Sequence, residues 1–208
     1  GRTGTVHRAT RDSDGADVVV RQIAPGLAAG GGVGAALRGL AVDCKMLRAP
    51  TVLPVLQVLE TEGELYVIEP YVEGKSLTLV LAKGPLPPEE VHALAMDLMD
   101  ALADLHRQRV VHGDLRPSNI HMTARGARVS GVGVALRTKR RSGPSGLLLR
   151  DPYDAPELDV GGGGHLADIY ALGAVLLHAI TGDEGPHDFL QESDAVTDVL
   201  LKAVSTAP

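Results

Sequence analysis

The chain of 208 residues is poor in aromatic side chains, with no Trp, one Phe and four Tyr. Because single-stranded nucleic acids are bound by stacking bases on aromatic rings, this composition argues against that function. The net charge of −6 also argues against a nucleic-acid coat, which carries a basic excess. Hydrophobic residues still make up 44% of the chain, so we expect a sizeable core of aliphatic side chains.

Cysteine is almost absent as well. A single residue, Cys44, excludes an internal disulfide and a Cys-rich zinc site. Together with the absence of a visible signal peptide, it favours a reducing, cytoplasmic location. The longest apolar run, residues 169–180, contains His178 and is shorter than the ~20 residues that cross a bilayer. We therefore expect no membrane segment within this chain.

The first third of the sequence reads as β-structure. Alternating and β-branched residues predict a hairpin over residues 5–9 and 18–23, and further strands over 52–59 and 64–68. The glycine-rich stretch 25–34 is expected to be a loop, and residues 35–47 have helical spacing of their apolar positions.

The remainder is mainly helical. Ser76 is a candidate cap for a helix over residues 77–83, and two prolines followed by two glutamates start a helix that runs from 87 to 106. Short strands are predicted at 110–111 and 127–134, a mobile loop at 137–146 and a buried helix at 168–181. This division predicts two unlike lobes, residues 1–72 and 73–208.

Four segments in order resemble motifs of the protein kinase family, in particular its bacterial serine/threonine kinases. They are EPYVEGKSL at residues 69–77, VHGDLRPSN at 111–119, YDAPE at 153–157 and DIYALG at 168–173. The resemblance covers nearly the whole chain. It implies an α+β, bilobal fold with a small antiparallel β-rich lobe and a mostly helical lobe, truncated at both ends.

The resemblance assigns the catalytic loop to three residues. Asp114 stands at the position of the catalytic aspartate, Arg116 at that of the nearby lysine and Asn119 at that of the magnesium-binding asparagine. The family's second metal ligand, an aspartate, falls on Gly131, which has no carboxylate. We therefore interpret the three catalytic-loop residues as vestigial, with Asn119 as a weak metal ligand.

Two other charged positions of the family are altered. The phosphate-binding lysine becomes Arg21, and its glutamate partner on the small-lobe helix becomes the apolar Leu40. Gly113 replaces the arginine that normally grips a phosphorylated activation loop. Activation by that route is therefore not expected.

The nucleotide pocket is also altered. Gly1 and Gly4 match two glycines of the phosphate-covering loop, and Val6 follows them. Val19 adds bulk above the purine, His121 replaces an apolar residue below it, and the Val72 N–H of the hinge is available to adenine. Glu69 lines the back of the pocket, where it either pairs with Arg21 or is protonated. We expect ATP to bind weakly or not at all and magnesium to add little to its binding, because Asn119 would be the sole protein ligand of the metal.

Three functions remain open. The first hypothesis is a pseudokinase, a regulatory or protein-binding domain with little or no phosphoryl transfer. The alternatives are a divergent, weakly active serine/threonine kinase and a domain used only for assembly. A protein partner is expected and nucleic acid is not.

The basic run 137–141 reads either as a solvated loop or as a docking patch, beside Thr138, Ser142 and Ser145 as possible phosphorylation sites.

Overall fold

A computed structural model of the chain describes residues 4–28, 32–138, 152–155 and 164–184. Its first part is a four-stranded antiparallel sheet in the order β1-β2-β4-β3. The strands are β1 (Gly4–Thr10), β2 (Asp17–Ile23), β3 (Gln57–Thr61) and β4 (Glu64–Pro70). The predicted hairpin is confirmed as β1 and β2, and the positive φ angles of Glu62 and Gly63 make the turn between β3 and β4.

Two helices accompany this sheet, α1 (Pro25–Ala28) and α2 (Val33–Asp43). The prediction of a loop throughout 25–34 is wrong in part, because α1 begins at Pro25, whose fixed φ suits the first helical position. Leu37 and Leu40 of α2 are fully buried in the core.

The strand predicted over 52–59 is largely wrong. Strand β3 begins only at Gln57, after Pro54, which has no N–H for a ladder. Upstream of it, Val52 forms an isolated parallel bridge with Val129, so this segment connects to the second part of the molecule.

In the second part, the described residues form four α-helices and a small sheet of order β5-β6-β7. The helices are α3 (Leu77–Leu81), α4 (Pro88–Arg107), α5 (Val134–Thr138) and α6 (His165–Thr181). The strands are β5 (Lys75–Ser76), β6 (Ile120–Thr123) and β7 (Gly126–Val129).

Three of these helices agree with the sequence prediction. The Ser76 hydroxyl accepts a hydrogen bond from the Leu79 N–H at 3.4 Å, as a cap of α3. Helix α4 begins with Pro88 and two acidic residues, and its apolar face packs against α6. Twelve of the 17 residues of α6 are buried, as its apolar composition predicts, while Leu166 and Ile169 are exposed.

The predicted strands at 110–111 and 127–134 are corrected. No strand forms at 110–111, where the Val110 N–H instead closes the end of α4 on the Leu105 carbonyl. Strand β7 ends at Val129 because Gly131 and Gly133 have φ angles of 78° and 65°, which a strand does not contain. Most of the loop predicted at 137–146 lies outside the described residues.

A buried carboxylate joins the two parts of the molecule. The Oδ2 atom of Asp104 in α4 accepts hydrogen bonds from the Arg48 N–H at 2.5 Å and the Ala49 N–H at 2.8 Å. Burial opposes its ionisation, but these N–H groups and the Arg107 guanidinium hold the pKa of Asp104 below its usual value. Asp104 is thus a charged anchor between the segment before β3 and the helical part.

The observed division lies near the predicted one. Strand β4 ends at Pro70 and β5 begins at Lys75, while the boundary at residues 72 and 73 itself stays a prediction. Within the described ranges, no helix combines the length and apolar character needed to cross a membrane.

Candidate functional site

A cleft of about 470 Å³ lies between the first sheet and the second, and it gathers most of the predicted site residues. Its apolar walls come from both parts and include Val6, Val19, Val72 and Leu79. Its charged and polar lining includes Arg21, Glu69, Asp114, Arg116, Asn119 and His121. Distant segments of the sequence therefore converge here.

Glu69 and Arg21 form an ion pair in the depth of this cleft. The Nη2 atom of Arg21 lies 3.3 Å from Glu69 Oε2, and the two side chains are 10% and 1% exposed. Adjacent antiparallel strands, β2 and β4, carry the pair. Of the two states considered for Glu69, pairing with Arg21 is the one observed, and Leu40 stays in the core.

The second carboxylate oxygen of Glu69 reaches the backbone that follows β7. Oε1 accepts the Gly131 N–H at 2.6 Å. Gly131 is the residue that the resemblance places at the magnesium aspartate, and it offers no side-chain oxygen. A Cβ atom there would lie 3.5 Å from the Asn119 amide, an ordinary contact, but the φ of 78° is one that residues with a side chain rarely adopt, so the backbone here suits glycine.

The catalytic-loop residues form one buried cluster. Arg116 Nε donates to Asp114 Oδ1 at 2.8 Å, and Asn119 Nδ2 donates to Asp114 Oδ2 at 3.0 Å and to the Asp114 carbonyl at 2.8 Å. Both oxygens of the Asp114 carboxylate therefore accept hydrogen bonds from neighbours in the same loop. Arg116 also lies 3.4 Å from Asp154, in the third of the matching motifs.

Asp168 holds the backbone of this loop. Its carboxylate accepts the His112 N–H at 2.9 Å and the Gly113 N–H at 2.8 Å. His106 Nε2 lies 2.8 Å from the same carboxylate. Although Asp168 is 1% exposed, its oxygens are thus satisfied by three groups.

His112 is neutral in this setting. Burial lowers the pKa of its imidazole, and the nearby carboxylates of Asp168 and Asp114 offset this only in part. Nδ1 accepts the Asp114 N–H at 3.2 Å, which leaves Nε2–H to donate to the Ser130 carbonyl at 3.2 Å. The ring therefore fixes the backbone between the catalytic loop and β7.

His121 forms part of the cleft floor, as predicted. Its Nε2 atom lies 3.0 Å from the Ser130 hydroxyl, and burial lowers the pKa of the ring, against a smaller opposing effect of Glu69. A neutral imidazole therefore replaces the apolar residue expected there in the family.

Gly113 and Leu136 fit together closely. Gly113 has a φ of 70°, and a Cβ atom built on it would lie 2.2 Å from Leu136 Cγ of α5. A larger residue at 113, such as the family's arginine, therefore requires the Leu136 side chain or α5 itself to shift. Sequence reasoning identified Gly113 as a departure but had no means of finding its contact with Leu136.

The hinge keeps one backbone donor for a ligand. The Tyr71 N–H bonds to the Asp17 carbonyl at 3.2 Å, whereas the Val72 N–H has no hydrogen-bond partner within the part of the chain that the structure describes. Gly4 lies in β1 opposite Ile23, where a Cβ would overlap the Gln22 carbonyl. Gly1 lies outside the described residues.

Metal-binding chemistry is scarce in the described ranges. They contain no group of three or more His, Cys, Asp or Glu side chains arranged to hold a metal ion. The only side-chain oxygen assigned to magnesium by the resemblance is the amide oxygen of Asn119, whose Nδ2 is engaged by Asp114. This donor set does not fit the oxygen-rich, carboxylate-containing sites that magnesium prefers.

A second, more open depression of about 640 Å³ lies behind the hinge, away from the catalytic loop. Its lining includes the cationic side chains of Lys75, Arg125 and Arg128 and the carboxylate of Glu73, around Val80 and Met122. None of these three cations has an ion pair with any residue that the structure describes. The predicted basic run lies mostly outside those residues.

Comparison with known proteins identifies the class. The family model for the protein kinase domain matches residues 1–201, so the chain belongs to the protein kinase family. The crystal structure of the Mycobacterium tuberculosis PknI kinase domain superposes with a TM-score of 0.78 and 26% identity, covering 100% of this chain and 84% of that one. The kinase-like fold predicted from the motifs is confirmed.

Curated relatives are protein kinases as well. Serine/threonine-protein kinase PrkC of Bacillus subtilis is 31% identical over 147 residues, which are 68% of this chain and 23% of that protein. Sperm motility kinase 3A of Mus musculus is 33% identical over 147 residues, 64% of this chain and 27% of that protein. The chain thus spans about a quarter of the length of these relatives.

Proposed function

We propose that this protein kinase domain is a pseudokinase, which regulates or binds another protein and transfers little or no phosphate. The observation that carries the proposal is the Glu69 bridge between Arg21 and the Gly131 N–H. Phosphoryl transfer depends on positioned charges rather than on covalent chemistry. In this chain the cation meant for phosphates is neutralised, and the metal carboxylate is missing.

The alternative function, a weakly active serine/threonine kinase, rests on the catalytic loop. Asp114 and Asn119 keep the residue types and the close packing that the reaction uses. Under our proposal this packing is structural, because the Asp114 carboxylate is bonded to Arg116 and Asn119 and its loop is fixed by Asp168.

A radiolabel transfer assay separates the two functions. The chain and its Asp114→Asn variant are incubated with labelled ATP, magnesium or manganese, and a generic acceptor protein. We expect equal, background incorporation by both, because no step then depends on the Asp114 carboxylate. Incorporation by the parent above that of Asp114→Asn overturns the proposal and favours the weakly active kinase.

The depression behind the hinge supports binding of a protein partner. It offers three cations, Lys75, Arg125 and Arg128, which have no ion pair within the described structure and outnumber the Glu73 carboxylate in the same lining. Together with the apolar Val80 and Met122, these cations suit an acidic segment that also carries apolar residues.

A labelled poly-glutamate peptide serves as the probe for this surface. We expect binding in fluorescence anisotropy that weakens with salt and falls in Arg125→Ala. Arg109→Ala is the matched control, because Arg109 is exposed and lies outside the depression. Equal effects of the two variants would exclude this surface as the docking site.

A further inference from the structure

The charges that face the cleft are balanced within it. Arg21 lies 3.3 Å from the carboxylate of Glu69, and Arg116 lies 2.8 Å from that of Asp114. Both cations that line the cleft therefore have a carboxylate partner at short range. An anionic ligand meets two internal ion pairs here rather than free positive charge.

Opening the deeper pair for a phosphate is costly. Glu69 is 1% exposed, and its second oxygen is held by the Gly131 N–H at 2.6 Å. If a phosphate group captured Arg21, the Glu69 carboxylate would stay buried without its counter-ion, and a buried unpaired charge is strongly unfavourable. The phosphate and the carboxylate would also repel one another.

The rest of the cleft suits an uncharged aromatic ring. Val6, Val19 and Leu79 provide apolar surface from opposite sides, and the neutral His121 lies below. At the hinge, the Val72 N–H has no partner in the described structure and can donate to a ring nitrogen. A heterocycle that lies between these groups does not disturb either ion pair.

We infer that the cleft binds an uncharged purine-like base or nucleoside and that Glu69 excludes the phosphorylated forms. This inference rests on the proposed function, in that it assigns the retained kinase cleft to a ligand that cannot donate a phosphate. The group that discriminates is the Glu69 carboxylate, which keeps Arg21 from acting as a phosphate receptor.

Calorimetric titration of the chain with adenosine, AMP, ADP and ATP, without magnesium, tests the inference. Adenosine is expected to bind most tightly, and the affinity is expected to fall as phosphates are added. Tighter binding of ATP than of adenosine, or no detectable binding of adenosine, would overturn the inference. This comparison uses only the unaltered chain and does not depend on the folding of any variant.

The variant Glu69→Gln tests the role of the carboxylate. Glutamine keeps an oxygen for the Gly131 N–H but removes the negative charge that lies beside Arg21. We expect ATP to bind at least about tenfold more tightly, with adenosine changed by less than about twofold. Glu64→Gln on the same strand is the matched control for net charge, and the second substitution Arg21→Gln in Glu69→Gln should abolish the gain.

Equal changes in ATP affinity for Glu69→Gln and Glu64→Gln would show a general charge effect and overturn the role of Glu69. Different results overturn the proposed function and this inference. Phosphate transfer from ATP by the unaltered chain overturns the proposed function, whereas tighter ATP binding without transfer overturns only this inference.

Discussion

The Glu69 carboxylate accepts the Gly131 N–H at 2.6 Å while its other oxygen lies 3.3 Å from Arg21. One side chain from β4 thus reaches the position of the missing metal ligand and supplies the counter-ion that α2 does not. Glu69 therefore makes a contact at both altered positions. It pairs with Arg21 in place of the helix glutamate that is replaced by Leu40, and it accepts the N–H of Gly131, where the family has an aspartate. Glu69 thus balances the buried charge of Arg21 and fixes the backbone at Gly131.

Restoring lysine at residue 21 is not expected to restore activity. Arg21→Lys returns the residue type of the family, but Glu69 still neutralises the charge and Gly131 still lacks a carboxylate. Radiolabel transfer from ATP is expected to stay at the level of Asp114→Asn. Transfer by Arg21→Lys above that level would show that the arginine alone blocks the reaction.

Removal of the Asp168 carboxylate is expected to destabilise the fold. Asp168→Ala leaves the buried N–H groups of His112 and Gly113 without acceptors, which we expect to cost roughly 2–4 kcal/mol in the free energy of unfolding. Urea denaturation monitored by circular dichroism measures this. The exposed Asp43→Ala is the control, and an equal midpoint for both variants would contradict the assigned role.

The contact between Gly113 and Leu136 can be isolated with a matched pair of glycines. Gly113 and Gly15 share a φ of 70°, but a Cβ at Gly15 meets no atom within 4 Å. Both alanine variants carry the strain of a positive φ. Only Gly113→Ala also clashes with Leu136, and we expect this clash to lower its free energy of unfolding by about 1–3 kcal/mol relative to Gly15→Ala. Denaturation midpoints that agree for the two variants would show that the contact with Leu136 is relieved without cost.

Mild acid is expected to weaken the fold. Burial lowers the pKa of His112, His121 and His178 below the ordinary 6.5, so the unfolded chain takes up protons that the folded chain does not. Stability should therefore fall as the pH decreases from about 7.5 to about 5.5, above the range in which Asp104 titrates. His112→Gln should flatten this slope, and a slope that is equal in both chains would contradict the assignment.

The sequence predicted the elements and positions that depend on local patterns. The long helices α4 and α6 follow from their apolar faces, and the kinase fold follows from motifs that keep their spacing. The start of β3 was predicted too early, because strand propensity at 52–56 is overridden by Pro54 and by pairing of Val52 with Val129. The short strands β5 and β6 carry too few residues for a periodicity to show.

Residues of the site were predictable from the sequence, but several of the contacts between them were not. Asp114, Asn119 and Glu69 could be placed from the motifs, and the pair of Glu69 with Arg21 was one of two stated possibilities. The bonds from Glu69 to Gly131, from Asp104 to Arg48 and Ala49, and the packing of Leu136 on Gly113 join residues far apart in sequence. Such contacts depend on how elements pack, which no local pattern encodes.

The most direct test of the central claim is the effect of magnesium on ATP binding. Calorimetric titration of the chain with ATP at zero and at millimolar magnesium should give affinities that are both weak and nearly equal, because Asn119 is the sole protein oxygen assigned to the metal. Gly131→Asp, which adds a carboxylate next to Asn119 at a backbone φ of 78° that strains it, serves as the positive control once circular dichroism shows that the variant folds. Tightening of about tenfold or more by magnesium in the unaltered chain, about 1.4 kcal/mol, would contradict the account.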